Sequence, residues 1–160
     1  MEGIQVTGFD SIVKLFPKME KQIRAELKKG IAASALLIQN EAKKSMKSAK
    51  HGKTVSRGAA KKNSKGRKVA SKFHRTSAPG EAPAVDTGRL MNSINHQLTN
   101  DGMAALVGIL DLSNVKYGRF LEYGTARIQA RPWLFPALEK NRKQIQARLA
   151  EAMQRGIAVK

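Results

Sequence analysis

Carboxylates and histidines are the side chains of this chain that could move a proton. Glu81, Asp86 and Glu122 lie in or near two compact turn motifs, and carboxylates that meet in a folded protein can divide acid and base roles. Such residues more often cap helices or pair with arginine, and that is our expectation here. A hydrolase built on these three carboxylates is therefore the weakest interpretation of the sequence.

The three histidines do not add a metal site. His51, His74 and His96 lie far apart, and no two have the spacing of helical metal ligands. Cysteine is absent, which excludes disulfides, thiolate metal sites and a cysteine nucleophile. Phosphate-binding, dinucleotide-binding and serine-hydrolase motifs are also absent. We predict a protein that is not an enzyme and has no metal or cofactor, with His96 hydrogen-bonded at the edge of the core.

Positive charge is the strongest signal of the composition. The formal net charge is +18 in 160 residues, and residues 43–75 contain thirteen lysines and arginines without one acidic residue. Such a tract is typical of a segment that contacts a polyanion or an acidic protein surface, and a solvated loop is the alternative. The residues predicted to form a basic arm that contacts a partner or DNA are Lys53, Arg57, Lys61, Lys62, Lys65, Arg67, Lys68, Lys72 and Arg75.

The basic tract does not predict recognition of nucleotide bases. Phe73 is the one aromatic residue among its cations, so a stacking platform is not indicated. Binding to phosphate would depend steeply on salt and would be blind to sequence. Residues 47–80 also offer little apolar surface to offset their ordering entropy. We therefore expect an extended insertion that a partner chain holds in place.

Helical periodicity dominates the first third of the chain. Asp10 is placed as the N-cap of a short helix that ends at Phe16, and Pro17 as a first-turn residue of a longer helix. An apolar residue recurs every three or four positions, which predicts one buried stripe. The stripe comprises Met19, Ile23, Leu27, Ile31, Ala35, Ile38, Ala42 and Met46. The opposite face carries Lys18, Lys21, Lys28, Lys29 and Asn40.

A β-hairpin is predicted downstream of the basic tract. The segments INHQLT and MAALVGIL flank Asn100-Asp101-Gly102, a favoured tight turn. The alternation places Ile94, His96 and Leu98 on one face. Before the hairpin, Asp86 is placed as the N-cap of a single turn over residues 87–92.

The last third predicts three further elements. A short helix is expected over residues 115–122, with Gly124 as its C-cap. Residues 126–130 are a candidate edge strand. A final helix follows Pro132 and Pro136, with an apolar stripe of Leu138, Ile145, Leu149 and Met153.

These elements predict one α+β domain over residues 1–160. A small antiparallel β-sheet is packed by the long N-terminal helix and the C-terminal helix, and residues 47–80 form a basic extended insertion. The N-terminus lacks the pattern of a signal peptide. The most apolar stretch, residues 31–38, is too short to cross a bilayer. We expect a soluble, intracellular protein without membrane contact.

Two compact motifs are the most specific features of the sequence. In VDTGRLMNSI, Asp86 can accept backbone N–H bonds, Gly88 eases a turn, and Leu90 points inward. The second motif, YGRFLEYGTARIQARPWLFPALEK, holds five of the eight aromatic residues between Tyr117 and Phe135. These aromatics either close the domain or, with Arg119, Arg127 and Arg131, present an interface anchor. Both interpretations remain open at this point.

The order of these motifs resembles the small neck or tail-completion proteins, also called head–tail joining proteins, of tailed bacteriophages. That family combines a long helix ending in Ala-Lys, an Asp-Thr-Gly turn, a hairpin, Glu-x-Gly-Thr and a proline–aromatic step into the last helix. About forty residues separate Ala-Lys from Asp-Thr-Gly here, and many relatives have far fewer. The residues that match or replace the pattern, and that would form the subunit interface, are Asp86, Thr87, Gly88, Leu90, Ser93, Tyr117, Glu122, Gly124, Thr125, Pro132, Trp133, Phe135 and Pro136. Ala42, Lys43, Ile94 and Ala137 also match the pattern.

The resemblance implies a structural virion protein that assembles as a homo-oligomeric ring where tail meets head. A hexamer suits a six-fold tail tube and is favoured, whereas a dodecamer suits a twelve-fold portal. The implied neighbours are other neck, tail-terminator or tail-tube proteins, with non-specific contact to packaged DNA as an option for the arm. The implied place is the virion neck, after assembly in the host cytoplasm. The alternative function is sequence-independent nucleic-acid binding through residues 43–75.

Overall fold

The computed structural model of the chain describes residues 9–49, 51–57, 64–66, 72–111 and 115–158. The described elements, in chain order, are α1 (Phe9–Ser48), β1 (Thr54–Arg57), β2 (Lys72–Arg75), α2 (Arg89–Ser93), β3 (Ile94–Leu98), β4 (Ala105–Ile109), α3 (Gly118–Tyr123) and α4 (Phe135–Ile157). The predicted α+β class is confirmed. The sheet is divided into two antiparallel pairs, β1–β2 and β3–β4.

α1 is one continuous helix of 40 residues, so the predicted break before Pro17 is wrong. Proline removes one backbone hydrogen bond from the helix. Near the start of a long helix, that loss is small beside the packing of the turns that follow. The predicted apolar stripe is confirmed, since every member from Met19 to Met46 is buried or half-buried. The predicted lysine-rich face is exposed.

α1 and α4 pack closely because small residues lie where they cross. A Cβ atom on Gly30 would lie 3.3 Å from Ala152 Cβ, and one on Gly156 would lie 2.5 Å from Ile23 Cα. The prediction that four apolar residues form the buried stripe of α4 is right for two of them. Ile145 and Leu149 are half-buried, but Leu138 and Met153 are exposed. The buried positions of α4 are Ala137, Asn141, Ala152 and Gly156.

The β3–β4 hairpin is confirmed, with Ile94 opposite Ile109 and Leu98 opposite Ala105. The face with Ile94, His96 and Leu98 turns toward α1, and Ile94 is fully buried. Met46 at the end of α1 is also fully buried. The core that surrounds them consists of Ala42, Ala49, Ala82, Leu90, Val115, Trp133 and Ala137.

Part of the basic insertion forms a second hairpin, β1–β2, which the sequence did not predict. Thr54 pairs with Arg75 and Arg57 pairs with Lys72. The short segments TVSR and KFHR contain β-branched and aromatic residues that favour strands despite their lysine-rich surroundings. The predicted arm residues Lys61, Lys62, Arg67 and Lys68 lie outside the described residues.

Three smaller predictions are corrected by the structure. Gly88, with φ 78°, occupies the N-cap position of α2, so Asp86 is not the N-cap. The helix predicted over residues 115–122 begins three residues later, at Gly118. Residues 126–130 form a loop rather than a strand, because Thr125 and Ile128 exchange backbone hydrogen bonds and close a tight turn.

Candidate functional site: the aromatic corner

Glu122 joins α3 to the start of α4. One oxygen of its carboxylate accepts the backbone N–H groups of Trp133 and Leu134 at 2.8 and 3.1 Å, and the other accepts that of Phe135 at 2.9 Å. The side chain is buried. A negative charge at a helix N-terminus is stabilised by the unpaired N–H groups there. The interpretation of Glu122 as a helix-capping carboxylate is confirmed.

The loop between α3 and α4 is tightly folded. Gly124 is the predicted C-cap of α3, with φ 77°, and a Cβ atom there would lie 2.9 Å from the backbone nitrogen of Ala130. The hydroxyl of Thr125 accepts the Ile128 N–H at 3.1 Å. The N–H of Arg131 donates to the carbonyl of Leu121 at 2.6 Å. The loop is therefore held at both ends and crosses back over α3.

The aromatic corner comprises α3 with its N-cap residue Tyr117, the loop that follows it and the first turn of α4. Its aromatic residues divide into two groups. Trp133 is buried in the core, although its indole N–H has no hydrogen-bond partner among the described residues. Tyr117, Phe120, Tyr123 and Phe135 are exposed, and Tyr123 is 83% exposed. One aromatic residue thus closes the domain, and four face outward. The interpretation as domain closure is confirmed for Trp133, and the interface interpretation stays a prediction for the other four.

An apolar groove of about 300 Å³ runs along the outward side of the corner. It lies between the strand β4, the helix α1 and the first turn of α4. Its lining contains no lysine or arginine, which is unusual in a protein of net charge +18. The lining residues are Ile38, Ala105, Val107, Glu122, Tyr123, Leu134, Phe135 and Leu138.

The two edges of the β3–β4 hairpin differ. Thr99 donates its N–H to Ala104, so, by antiparallel alternation, the backbone groups of Ala105 and Val107 point away from β3. They make no hydrogen bond to any other described residue. On the β3 side, Gln39 donates to the carbonyl of Ile94 at 2.9 Å and bonds His96 Nδ1 at 2.5 Å. His96 is therefore bonded at the core edge, as predicted, and β4 keeps an open edge beside the groove.

The structure brings the two predicted motifs together. Leu90 is buried, and its Cδ1 atom lies 3.2 Å from the position of a Cβ on Gly118 at the start of α3. Thr87 Oγ1 accepts the Arg89 N–H at 3.4 Å, and Ser93 Oγ donates to the Leu90 carbonyl at 2.8 Å. A cleft of about 90 Å³ separates this turn from Tyr117 and Leu121. Pro132 and Pro136 flank the start of α4.

The three carboxylates considered for chemistry do not share a site. Glu81 accepts the Ala78 N–H at 2.8 Å and contacts His51 Nδ1 at 2.5 Å. The Ala78 N–H, followed by the His51 side chain, lowers the pKa of Glu81. Asp86 lies 3.5 Å from His74 Nδ1, and Glu122 caps α4. Within the described ranges, no three His, Asp or Glu side chains are placed to hold a metal ion.

The β1–β2 hairpin of the arm, called the basic hairpin, is fixed to the domain by hydrogen bonds at its base. Gly52 donates its N–H to the Thr76 carbonyl at 2.8 Å, and Thr76 donates to that of Lys53 at 3.0 Å. Arg131 donates to Ser77 Oγ at 2.6 Å, which ties the aromatic corner to the same base. Of the predicted arm residues, Lys53, Lys65 and Arg75 are exposed. Arg57 is the last residue of β1, and Lys72 is the first residue of β2.

Comparisons of the chain with family models, with curated proteins and with solved structures give no match. No helix in the described part of the chain is long and apolar enough to cross a membrane. The fold defines the chain as an α+β protein in which α1 packs against both α4 and the β3–β4 hairpin, and a hydrogen-bonded corner presents aromatic side chains.

Proposed function

We propose that this chain is a structural protein of the head–tail connection of a tailed bacteriophage, where it forms a homo-oligomeric ring. The observation that carries the proposal is the outward display of four aromatic residues beside an open apolar groove. Aromatic residues on a rigid frame are typical anchors of protein interfaces. The same corner holds the motifs through which the sequence resembles tail-completion proteins.

The rigidity of the corner supports a role in assembly. The carboxylate of Glu122 accepts three backbone N–H groups. Gly124 has a positive φ, which any other residue would adopt only with backbone strain. A surface that keeps its shape loses little entropy on association. The corner and the basic hairpin are different surfaces, so contacts between copies would be head-to-tail and could close a ring. A hexamer is the favoured size.

The arm extends the proposal to partners other than the chain itself. Its cations would contact a neighbouring neck, tail-terminator or tail-tube protein, with the packaged DNA as the other candidate. We favour protein, because a lysine-lined channel would hold passing DNA by its phosphates. The protein would act in the virion neck, after assembly in the host cytoplasm.

Mass measurement and imaging of the purified protein test the ring. We expect closed rings at high protein concentration, and these should persist at high salt because apolar contacts hold them. Tyr123→Ser and Phe135→Ser should reduce ring formation and leave the folded chain stable, because both side chains are exposed. Lys143→Ser is an exposed control on α4. A strictly monomeric protein at every concentration and salt would remove the proposal.

In the phage itself, deletion of residues 47–77 should block joining of heads and tails. A wild-type yield of particles from that deletion would remove the arm from the proposed function.

One observation favours the second candidate, sequence-independent nucleic-acid binding. The chain has 30 lysines and arginines against 12 acidic residues. Lysines of α1 and of the arm, among them Lys18, Lys28 and Lys53, are exposed and give the described domain a cationic surface. Steeply salt-dependent binding to random duplex DNA, without rings, would favour this candidate over the first.

A further inference from the structure

We propose that the apolar groove binds the β1–β2 hairpin of a second copy of this chain, with a hairpin strand paired to the open edge of β4 and Phe73 in the groove. The inference rests on the proposed self-association and specifies the two surfaces that meet. It assigns the groove a cationic, extended protein segment as its ligand.

The backbone of β4 provides the first part of the argument. The N–H and C=O groups of Ala105 and Val107 point away from β3 and have no partner among the described residues. Unpaired strand edges of this kind accept another extended chain as an added strand. The β3 edge is less suitable, because Gln39 already occupies the Ile94 carbonyl. The open edge and the apolar groove lie side by side, so one strand could use both.

The charge of the groove lining indicates which kind of strand can bind to β4. Among the described residues, the groove has no cation in its lining, and Glu122 is the one charged residue that lines it. A polyanion would find no positive charge there, whereas a cationic segment meets no repulsion. The strands β1 and β2 and the residues that flank them, from Lys53 to Arg57 and from Lys72 to Thr76, contain cations and no carboxylate. The hairpin therefore has the charge that the groove favours.

The orientation of Phe73 supplies the apolar contact. His74 is the next residue along β2, and it faces its own domain at 3.5 Å from Asp86. Because neighbouring side chains of a strand lie on opposite faces, Phe73 points away from that domain, and it is 71% exposed. Its ring matches the apolar floor that Leu134 and Leu138 provide in the groove. The hairpin base is fixed by hydrogen bonds, so this face is presented in a defined direction.

Cross-linking between separately purified variants tests the contact, because the chain has no natural cysteine. Ser56→Cys marks the hairpin, since Ser56 lies opposite Phe73 on the same face. Leu138→Cys marks the groove. With a short bis-maleimide, the mixture should give a two-chain product. The matched control is Leu106→Cys, which lies on β4 but on the face turned away from the groove, and its yield should be about tenfold lower.

Two further variants test the role of the aromatic side chain. Phe73→Ser in the hairpin-marked chain should reduce the two-chain product about tenfold. Val55→Ser, on the opposite face of the same hairpin, should leave the yield unchanged. Equal losses from both substitutions would overturn the inference.

The outcomes separate this inference from the proposed ring. Equal yields from Leu138→Cys and Leu106→Cys would overturn the groove contact, even if images show rings. A specific groove product without rings would support the contact and remove the ring. In a chain that carries both Ser56→Cys and Leu138→Cys, rapid closure as a monomer at high dilution would show that the arm occupies its own groove, which also overturns the inference.

Discussion

The carboxylate of Glu122, in the last turn of α3, accepts a hydrogen bond of 2.9 Å from the backbone N–H of Phe135, the first residue of α4. The two residues are thirteen positions apart along the chain. The N-cap position of α4 is Leu134, whose side chain cannot accept a hydrogen bond. A distant carboxylate therefore performs the capping that a serine or aspartate would perform locally. The aromatic corner depends on this contact, because it fixes α3 against α4.

Glu122→Gln should destabilise the folded chain by about 1–3 kcal/mol, because it replaces charge-assisted hydrogen bonds and brings an amide group toward N–H donors. Denaturant unfolding of the purified protein measures the change. Glu151→Gln is the matched control, since Glu151 is exposed and pairs with Arg155 only at 3.8 Å within one helix. An equal effect of the two substitutions would contradict the capping role.

Gly124→Ala should destabilise the protein by about 2–4 kcal/mol, because two costs add. The residue has φ 77°, and a Cβ atom would crowd Ala130 N at 2.9 Å and Ile128 O at 3.0 Å. Gly80→Ala separates these costs, since Gly80 has φ 78° but no atom lies within 4 Å of the place that an alanine Cβ would take. It should cost only about 1 kcal/mol. The shift in unfolding midpoint measures both, and a Gly80 effect as large as that of Gly124 would rule out crowding.

Much of the fold could be predicted from local signals. The β3–β4 hairpin follows from alternation around Asn100-Asp101-Gly102, and the buried stripe of α1 follows from its apolar spacing. The face of α4 is only partly predictable, because Ala152 and Gly156 carry little apolar area. Their burial comes from the close approach of α1, a tertiary effect that apolar spacing within one helix does not report.

The candidate site is predictable in membership but not in arrangement. The sequence identifies the motif residues from Tyr117 to Phe135, yet only the fold shows that Trp133 is buried while Tyr123 faces outward. The sequence does not predict the open edge of β4 or the β1–β2 hairpin. The edge depends on hydrogen-bond register, and the hairpin is obscured by a lysine-rich composition that resembles a solvated loop.

The crossing of α1 and α4 predicts different effects on stability for alanine substitutions at two glycines. Gly30→Ala should change stability by less than about 1 kcal/mol, because better helix propensity offsets the small displacement that contacts at 3.3 Å with Ala152 Cβ and Leu149 Cδ2 require. Gly156→Ala should destabilise by about 1–3 kcal/mol, because its Cβ would lie 2.5 Å from the Cα of Ile23, and the backbone must shift. Thermal unfolding measures both. A stabilising Gly156→Ala would show that the helices are not in close contact there.

The base of the arm should lose its anchor in acid. The Ala78 N–H, and then His51, hold the pKa of Glu81 below its ordinary value of 4.5. A carboxyl group with a lowered folded-state pKa contributes stability above its unfolded-state pKa, and loses it as pH falls through the folded-state value. Unfolding in urea should therefore show that the free energy of unfolding falls between pH 5 and about pH 3, and Glu81→Gln should make this fall smaller. Glu20→Gln, at an exposed pair within α1, is the control. If the free energy of unfolding of Glu81→Gln depended on pH as steeply as that of the parent chain, this carboxylate would not hold the arm, because the linked proton uptake would then belong to other groups.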